Sequence, residues 1–263
     1  VPLRQNVEQQ CIVLADKVIT EFDASGLRHN AWVHFGGRDT VGDGGGGPLR
    51  FLKGSTAPAD GGTVYAVPGG RLVREGWSVF GVQPEWFGNT AGNIKKAVDA
   101  LPSTGGLVLL GDRIYPPSYT NYEGAAGVGY LAKANVRIQG VKTPKAKSDL
   151  TGLEGGTIIQ GPFFAFADGL EVDKFGVDSG AVVCNTLYGG VAQEGFVHFK
   201  PAQSTTNPPA NTVTVGDIVS ITKSFSAPVH SILLEGIDNL QFSNLRAYYG
   251  MHGVVVKSKN VNG

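Results

Sequence analysis

Residues 94–110 run Ile94-Lys95-Lys96-Ala97-Val98-Asp99-Ala100-Leu101-Pro102-Ser103-Thr104-Gly105-Gly106-Leu107-Val108-Leu109-Leu110. Ile94, Ala97, Val98 and Leu101 fall at i, i+3, i+4 and i+7, the spacing of a short amphipathic helix. Asn or Thr upstream is available to cap it, and Pro102 ends it. After Gly105-Gly106 comes a short apolar run, Leu107 to Leu110, which suits a strand buried on both faces. A helix laid before such a strand fits one architecture well. A stack of strand coils has an open end that must be covered, and an amphipathic helix covers it.

Working towards the C-terminus, three-residue strand seeds recur: Val136-Arg137-Ile138, Thr157-Ile158-Ile159, Leu170-Glu171-Val172, Phe175-Gly176-Val177, Val213-Thr214-Val215, Ile232-Leu233-Leu234, Leu240-Gln241-Phe242 and Val254-Val255-Val256. Most have Gly, Asn or Asp beside them, residues that tolerate positive φ at a corner. Leu240 and Val261 stand about twenty residues apart, a period expected of a solenoid coil. One coil cannot bury its apolar face alone, so only a stack is stable. The pattern lapses between Gly190 and Asn211, and Ser204 to Pro209 reads as a loop excursion. The competing arrangement for the same seeds is an antiparallel sandwich. The helix and buried strand at 94–110 favour the solenoid.

Working towards the N-terminus, Val7, Cys11, Leu14, Val18 and Phe22 recur at spacings of three and four, which predicts a helix over Asn6 to Phe22. Ile12, Val13 and Ile19 lie off that face. Strands are expected at Ala31 to Phe35, Leu49 to Leu52, Thr63 to Val67 and Arg71 to Arg74, with Trp77 to Val82 also extended. Gly42 to Gly47 must be a turn and Ser55 to Gly62 a loop. Short strands at this spacing predict a small antiparallel module. Pro84 to Gly88 reads as a junction, giving residues 1–88 and 89–263 as two domains.

Composition agrees with β structure and narrows function. There are 39 Gly in 263 residues, well above a background of roughly 7%. Basic and acidic residues balance at 22 each, and a nucleic-acid binder would carry a basic surplus. Lys142, Lys145 and Lys147 around Pro144 read as a solvated loop. Cys11 and Cys184 lack any metal-ligand spacing, and Cys184 after Ala181-Val182-Val183 reads as a small buried hydrophobe. No acidic run has the spacing of a calcium loop, so no metal or organic cofactor is expected. No apolar run reaches the ~20 residues of a membrane span, and no signal peptide is read. With Val1 at its start and Val261-Asn262-Gly263 at its end, the chain is expected to be part of a longer protein.

Two stretches carry a resemblance. Gly42-Asp43-Gly44-Gly45-Gly46-Gly47-Pro48-Leu49-Arg50-Phe51, then Ser55-Thr56-Ala57-Pro58-Ala59-Asp60-Gly61-Gly62-Thr63-Val64, then Gly70-Arg71-Leu72-Val73-Arg74, resembles the Gly-rich module near the start of many bacteriophage tailspike proteins. Leu72 stands where that module usually has Trp. Glu85-Trp86-Phe87-Gly88 through Leu101 to Leu109 resembles the opening of pectate-lyase-like β-helix domains, without their acidic turn. The first stretch is specific to phage-type proteins, the second to a fold and not a reaction. Together they cover residues 31 to about 115.

The resemblance implies a mainly β protein in which a small Gly-rich β-module with a helix precedes a right-handed parallel β-helix capped by a short helix. It implies a homotrimer located in the virion. Residues 1–88 would attach to other phage tail, baseplate or adaptor proteins, and residues 89–263 would open a receptor-binding domain for bacterial capsule or O-antigen polysaccharide. No nucleic acid and no membrane insertion are implied. The alternatives are a non-catalytic adaptor fibre and a cellular pectate-lyase-like enzyme.

Tailspikes commonly depolymerise the polysaccharide they meet. Hydrolysis needs two carboxylates, about 5 Å apart for retention and 6.5–9.5 Å for inversion. Asp168, Glu171, Asp173 and Asp178 form the densest acidic cluster. Glu171 and Asp173 share one strand face about 7 Å apart, which fits an inverting pair, but acids alternating with Leu170, Val172 and Phe175 also describe a plain solvated face. A lyase base set is not gathered anywhere, so hydrolysis is the expected chemistry if there is any. His230 and His252 read as structural. Tyr119, Tyr122, Tyr130, Tyr248 and Tyr249 offer rings for stacking on sugars. The Gly-rich loop lacks the Lys-Ser/Thr of a phosphate cradle. No catalytic residue is assigned, and the reaction is expected in coils beyond Gly263.

Overall fold

The computed structural model describes residues 11–117, 129–179, 187–188, 191–192, 195–200, 212–222, 230–249 and 252–257. The chain divides into two compact units, Val1–Phe80 with Glu85–Gly88 and Gly81–Pro84 with Asn89–Gly263.

The first unit is one sheet of β1 (Cys11–Val18), β2 (Trp32–Gly37), β3 (Gly47–Lys53), β4 (Val64–Val67) and β5 (Gly70–Val73), in the order β1-β2-β3-β5-β4. Pairing is antiparallel except between β1 and β2, which run parallel. Val33, Phe35, Leu49, Phe51, Tyr65 and Leu72 form its core.

The helix expected over Asn6 to Phe22 is not there: residues 11–18 are a strand and Ile19–Glu21 a single 3-10 turn, while residues 6–10 lie outside the described residues. Half-buried Ile12 and Leu14 alternate with exposed Cys11, Val13 and Ala15. That is a period of two, and the β-branched Ile12 and Val13 favour it. Trp77 to Val82 departs in the other direction. Trp77–Phe80 is a helical turn, α1, with the N–H groups of Val79 and Phe80 both on Gly76 O, and Gly76 held at φ 72°.

The Gly-rich turn is built on backbone crowding. A Cβ on Gly46 would lie 2.5 Å from Phe35 O, and one on Gly45 2.5 Å from Glu85 O. Asp43 organises the turn by accepting the N–H groups of Arg38, Asp39, Thr40 and Gly45. Burial opposes its charge, but the bonds from Thr40, Arg38, Asp39 and Gly45 win and hold the carboxyl below its ordinary value. Arg74 is buried and donates to Gly62 O at 3.0 Å, Gly46 O at 2.8 Å and Gly45 O. Its guanidinium lies 4.5 Å from the Trp86 ring centroid. One cation therefore donates to three carbonyls, two in the Gly-rich turn and one at the end of the Ser55 to Gly62 loop.

The second unit opens with α2 (Gly92–Ala100), whose Asn93, Ile94, Ala97 and Val98 are buried. Ala91 takes the N-cap place with no side-chain bond, and Thr90 before it accepts from Asn93, by its carbonyl from the main-chain N–H and by Oγ1 from the side-chain amide at 3.1 Å. Lys133 caps the other end, donating to the carbonyls of Asp99 and Leu101 at 2.7 and 2.6 Å. The strands then come in circuits. The first holds β6 (Gly106–Leu109), β7 (Ile114–Tyr115) and β8 (Gly129–Leu131). The second holds β9 (Val136–Gln139), the hairpin of β10 (Lys145–Ala146) and β11 (Leu153–Glu154), β12 (Ile158–Gln160) and β13 (Phe163–Phe166). The third holds β14 (Leu170–Asp178), the hairpin of β15 (Leu187–Tyr188) and β16 (Val191–Ala192), and β17 (Gly195–Lys200). The fourth holds β18 (Thr212–Thr222) and β19 (His230–Glu235), the fifth β20 (Asn239–Ser243), β21 (Arg246–Tyr249) and β22 (Val254–Lys257).

Each circuit pairs in parallel with the next along three ladders. The first runs β6, β9, the start of β14, the start of β18, then β20. The second runs β7, β12, the end of β14, the end of β18, then β21. The third runs β8, β13, β17, β19, β22. The unit is thus mainly β, with parallel sheets in a solenoid-like arrangement. Register makes the core columnar. Val108, Ile138, Val172 and Val215 are partners in turn, each with no exposed surface. On the third ladder Phe163, Val197 and Ile232 do the same, and the Phe163 ring meets those of Phe175 and Phe199 at 5.3 and 5.9 Å.

Corners also stack. Before the first ladder Gly105, Asn135 and Gly169 occupy equivalent places, with φ of 89°, 55° and 64°. After it come Gly140, then Lys174, Asp217 and Asn244 at 61°, 49° and 52°. Asn244 donates to the Asp217 carboxylate below it.

The twenty-residue period does not hold. Arg137 pairs with Glu171, Glu171 with Thr214 and Thr214 with Gln241, spacings of 34, 43 and 27 residues. Inserted segments such as the β10–β11 hairpin lengthen single circuits without shifting the ladders, and Val261 lies outside the described residues. Nor does the pattern lapse throughout 190–211, because β17 sits there. Gly195-Phe196-Val197-His198-Phe199 is buried on both faces and shows no alternation. The loop at Ser204 to Pro209 lies outside the described residues. In β6 Val108 is buried, while Leu107 and Leu109 are half-buried. Lys142, Lys145 and Lys147 are exposed around a buried Pro144. Among the described residues no helix is long and apolar enough to cross a membrane.

Two substitutions probe this construction. A Cβ on Gly140 would lie 2.0 Å from Lys174 O, whereas one on Gly26 meets nothing within 4 Å. Gly140→Ala is expected to cost about 1–3 kcal/mol in denaturant unfolding and Gly26→Ala to stay within about 0.5. Asp43→Ala leaves four N–H groups without their carboxylate and is expected to cost about 1–3 kcal/mol at neutral pH. Because the folded-state pKa is depressed, the wild-type advantage shrinks as pH falls below about 4. Chemical denaturation at pH 7 and pH 3 measures both.

Candidate functional site

The first ladder presents a polar stripe on the side opposite its apolar column. Arg137, Glu171, Thr214 and Gln241 are partners in one row; Gln139, Asp173, Gly216 and Ser243 are partners two positions on. Strand alternation sets this, since Ile138, Val172 and Val215 between the rows are fully buried. Neighbouring rungs stand ~4.8 Å apart, so guanidinium, carboxylate, hydroxyl and amide groups repeat along a line. Such a line offers hydrogen bonds to a long polar ligand.

Glu171 and Asp173 do share that face, as expected, but each is directed to its own cation. Glu171 Oε1 meets Arg137 Nε at 3.1 Å, with both side chains a little under half exposed. Asp173 Oδ2 lies 3.7 Å from Lys174 Nζ. A Cβ on Gly216 would lie 3.3 Å from Asp173 Oδ1. The rest of the acidic cluster is spread along β14 and its approach. Asp168 accepts Asn135 N–H through its main-chain carbonyl at 2.9 Å, and its Oδ1 is buried without a hydrogen-bond partner among the described residues. Asp178 accepts Leu153 N–H at 2.9 Å and so anchors the β10–β11 hairpin. That hairpin lays Leu153 over Ile158, Val219 and Ile221. The four acids do not converge on one point.

Of the tyrosines, Tyr119 and Tyr122 lie outside the described residues, as does the Tyr130 side chain. Tyr248 packs against the Leu153 cluster and Tyr249 is exposed at φ 64°. Cys11 is exposed and free, and Cys184 lies outside the described residues. Among the described residues no three His, Cys, Asp or Glu are grouped to hold a metal ion.

A second polar group escaped the sequence reading. On the third ladder Lys200 pairs Phe166 below and lies level with Glu235, which pairs Lys257 above. His198 shares their strand face. Its Nε2 lies 2.8 Å from Glu235 Oε2, and Lys200 Nζ reaches Glu235 Oε1 at 3.5 Å. The Phe166 ring meets the His198 ring edge-on at 4.9 Å. Burial pulls the His198 pKa down despite Glu235 beside it. His230 and His252, expected to be structural, are brought together with their Nδ1 atoms 3.2 Å apart. Nothing local in the sequence signals these meetings. His198 sits in the stretch where the pattern lapsed, and Glu235 is 37 residues away.

The first unit carries a cleft of about 480 Å³ floored by Leu14, Val18 and Phe22 and rimmed by acids that include Asp16, Asp23 and Asp39. Those three are engaged locally, by Lys17, by the Ser25 N–H and by Arg38.

No protein-family model matches the chain, and no curated protein matches it in sequence. Among solved structures it is similar to the tailspike protein gp49 from Acinetobacter baumannii bacteriophage Fri1, a capsular polysaccharide depolymerase, at 16% identity and a TM-score of 0.52. The alignment covers 95% of this chain and 46% of that one, so the chain spans a little under half the length of the protein it matches. At this identity the likeness is one of fold: mainly β, with parallel strands stacked circuit upon circuit.

Proposed function

We propose that the chain is a tailspike component of a bacteriophage virion that recognises a bacterial surface polysaccharide, capsule or O-antigen. The observation that carries this reading is the first ladder's outward stripe, Arg137, Glu171, Thr214 and Gln241 in register, on a fold similar to that of a tailspike depolymerase. In this reading residues 89–263 are the opening coils of a right-handed parallel β-helix with α2 as its cap. Residues 1–88 attach to a tail, baseplate or adaptor protein, and three copies assemble side by side.

The reading keeps Glu171 and Asp173 out of catalysis, because each is turned to a neighbouring cation, Arg137 in the same row and Lys174 at the corner. Polysaccharide cleavage by the whole protein then rests on other residues. A non-catalytic adaptor fibre is the second reading, favoured by the dispersal of the acidic cluster.

Retention on immobilised capsule or O-antigen tests the first reading. Arg137→Ala and Gln241→Ala are each expected to weaken retention severalfold while shifting stability by no more than about 1 kcal/mol. Unchanged retention in both, with the wild type retained, would place recognition elsewhere. If the full-length protein releases reducing ends, Glu171→Ala and Asp173→Ala should leave turnover at saturating substrate largely intact, while Glu171→Ala weakens retention as Arg137→Ala does. A roughly thousandfold loss in either, with folding preserved, would make the pair catalytic. Light scattering is expected to give three times the chain mass, and deletion of residues 1–88 to abolish incorporation into virions. A monomer mass contradicts the assembly proposed.

A further inference from the structure

A glycine inside a strand loses the most backbone freedom on folding and gives its neighbours no side chain to pack against. Among the described residues of the second unit, Gly176 in β14 and Gly216 in β18 carry that cost. Gly176 has a packing reason. A Cβ there would lie 2.4 Å from both Pro144 Cγ and Leu153 Cδ1, so the β10–β11 hairpin and its lead-in fill the place of the missing side chain. Gly216 has none. Its φ lies outside the left-handed region, and a Cβ would meet only Asp173 Oδ1 at 3.3 Å, Ser243 Oγ at 3.6 Å and Asp173 Cγ at 4.0 Å. The closest of these is the end of a side chain that can turn aside. Neither backbone conformation nor crowding requires glycine at 216.

The missing side chain leaves a notch in the polar stripe of the first ladder. Asp173 stands below it and Ser243 above it in the same row, two rungs or about 10 Å apart. Circuits of this chain thus supply both walls. Thr214, two residues before Gly216, faces the same side and sets a hydroxyl beside the opening. Asp173 turns Oδ2 to Lys174 Nζ at 3.7 Å, while its Oδ1 lies nearest the Gly216 Cβ position and takes no hydrogen bond from a described residue.

We propose that this notch is a saccharide subsite: one uncharged sugar ring of the polysaccharide lies against the Gly216 backbone and donates a hydroxyl hydrogen bond to Asp173 Oδ1. The inference rests on the polysaccharide reading above and adds to it a subsite and a class of sugar. Glycine at 216 lets the ring approach the backbone, as Gly176 lets Pro144 and Leu153 approach β14. The ring is uncharged because a carboxylate oxygen only accepts. A sugar hydroxyl fits it, and a sugar carboxylate or phosphate is repelled. The cations of the stripe and its corner, Arg137 and Lys174, are themselves turned to Glu171 and Asp173, so the rows hold no surplus of positive charge. Thr214 and Ser243 complete the place with hydroxyls that both donate and accept.

Retention of the full chain on immobilised capsule or O-antigen tests this. Gly216→Val fills the notch and is expected to weaken retention about tenfold or more, the worth of one hydrogen bond to a charged acceptor. Gly216→Ala is expected to weaken it less and to leave the unfolding midpoint unchanged or raised, since alanine costs less than glycine within a strand. Asp173→Asn is expected to weaken retention in the wild-type background and to add nothing in the Gly216→Val background, where the same contact is already lost. Should Gly216→Val fold poorly, Gly216→Ala with Asp173→Asn repeats the cycle. The ratio between wild type and Gly216→Val is expected to hold from low to high salt, because the sugar bears no charge. Full retention by folded Gly216→Val, while Arg137→Ala and Gln241→Ala weaken it, overturns the notch and leaves the stripe as the binding surface. Losses from Gly216→Val and Asp173→Asn that simply add overturn the shared contact, and a ratio that collapses in high salt overturns the uncharged ring. A wild type that is not retained overturns the notch together with the reading it rests on.

Discussion

Parallel strands in neighbouring circuits must sit in register, and everything else in the second unit follows from that constraint. A backbone ladder fixes each residue directly above its partner, so like side chains accumulate in columns. Val108, Ile138, Val172 and Val215 become one apolar column. Phe163, Val197 and Ile232 become another. The ladder leaves no room at its corners, where a Cβ on Gly105 would lie 2.1 Å from Asn135 O. Corners therefore take Gly where a neighbouring backbone closes in, and elsewhere Asn135, Asp217 and Asn244, whose short polar side chains accept positive φ, with Lys174 held there as well.

The same constraint makes the outer surface regular. Whatever alternates with the apolar columns is displayed in rows at the rung spacing. Arg137 to Gln241 on the first ladder and Lys200, Glu235 and Lys257 on the third are two such rows. Circuits can lengthen freely between ladders, as the β10–β11 hairpin does, because an insertion does not move the rungs. Asp178 then ties the hairpin down from the next circuit, on the rung above it. An acid that looked like part of a catalytic cluster in the sequence is, in space, an anchor.

Much of this was legible in the sequence because it is local. The helix after Pro84 to Gly88, the Gly-bounded strand at residue 106 and the seeds at 136, 170, 213 and 232 are carried by short-range pattern. The Gly-rich module was readable for the same reason. The helix expected from Asn6 was not, because Cys11, Leu14, Val18 and Phe22 satisfy a helical spacing by coincidence, while Ile12 and Leu14 pack as a strand against the sheet. β17 was missed because a strand buried on both faces has no alternation to detect. The coil period was misjudged because insertions differ from circuit to circuit. The contacts of His198 with Glu235 and of His230 with His252 join residues 37 and 22 apart. Only the ladder register brings them together, and no spacing rule in the sequence encodes it.

Register is thus the central claim, and paired cysteines test it most directly. In a Cys11→Ser, Cys184→Ser background, Glu171→Cys with Thr214→Cys places two thiols on directly opposed rungs, within the Cα separation of about 4.4–6.8 Å that a disulfide requires. Thr214→Cys with Gln241→Cys does the same one circuit on. Both pairs are expected to oxidise fully within one chain under mild conditions, while Glu171→Cys with Ser243→Cys, two circuits and two positions apart, stays reduced. Failure of both in-register pairs to close in folded protein, or ready closure of the mismatched one, would contradict the stacked parallel arrangement.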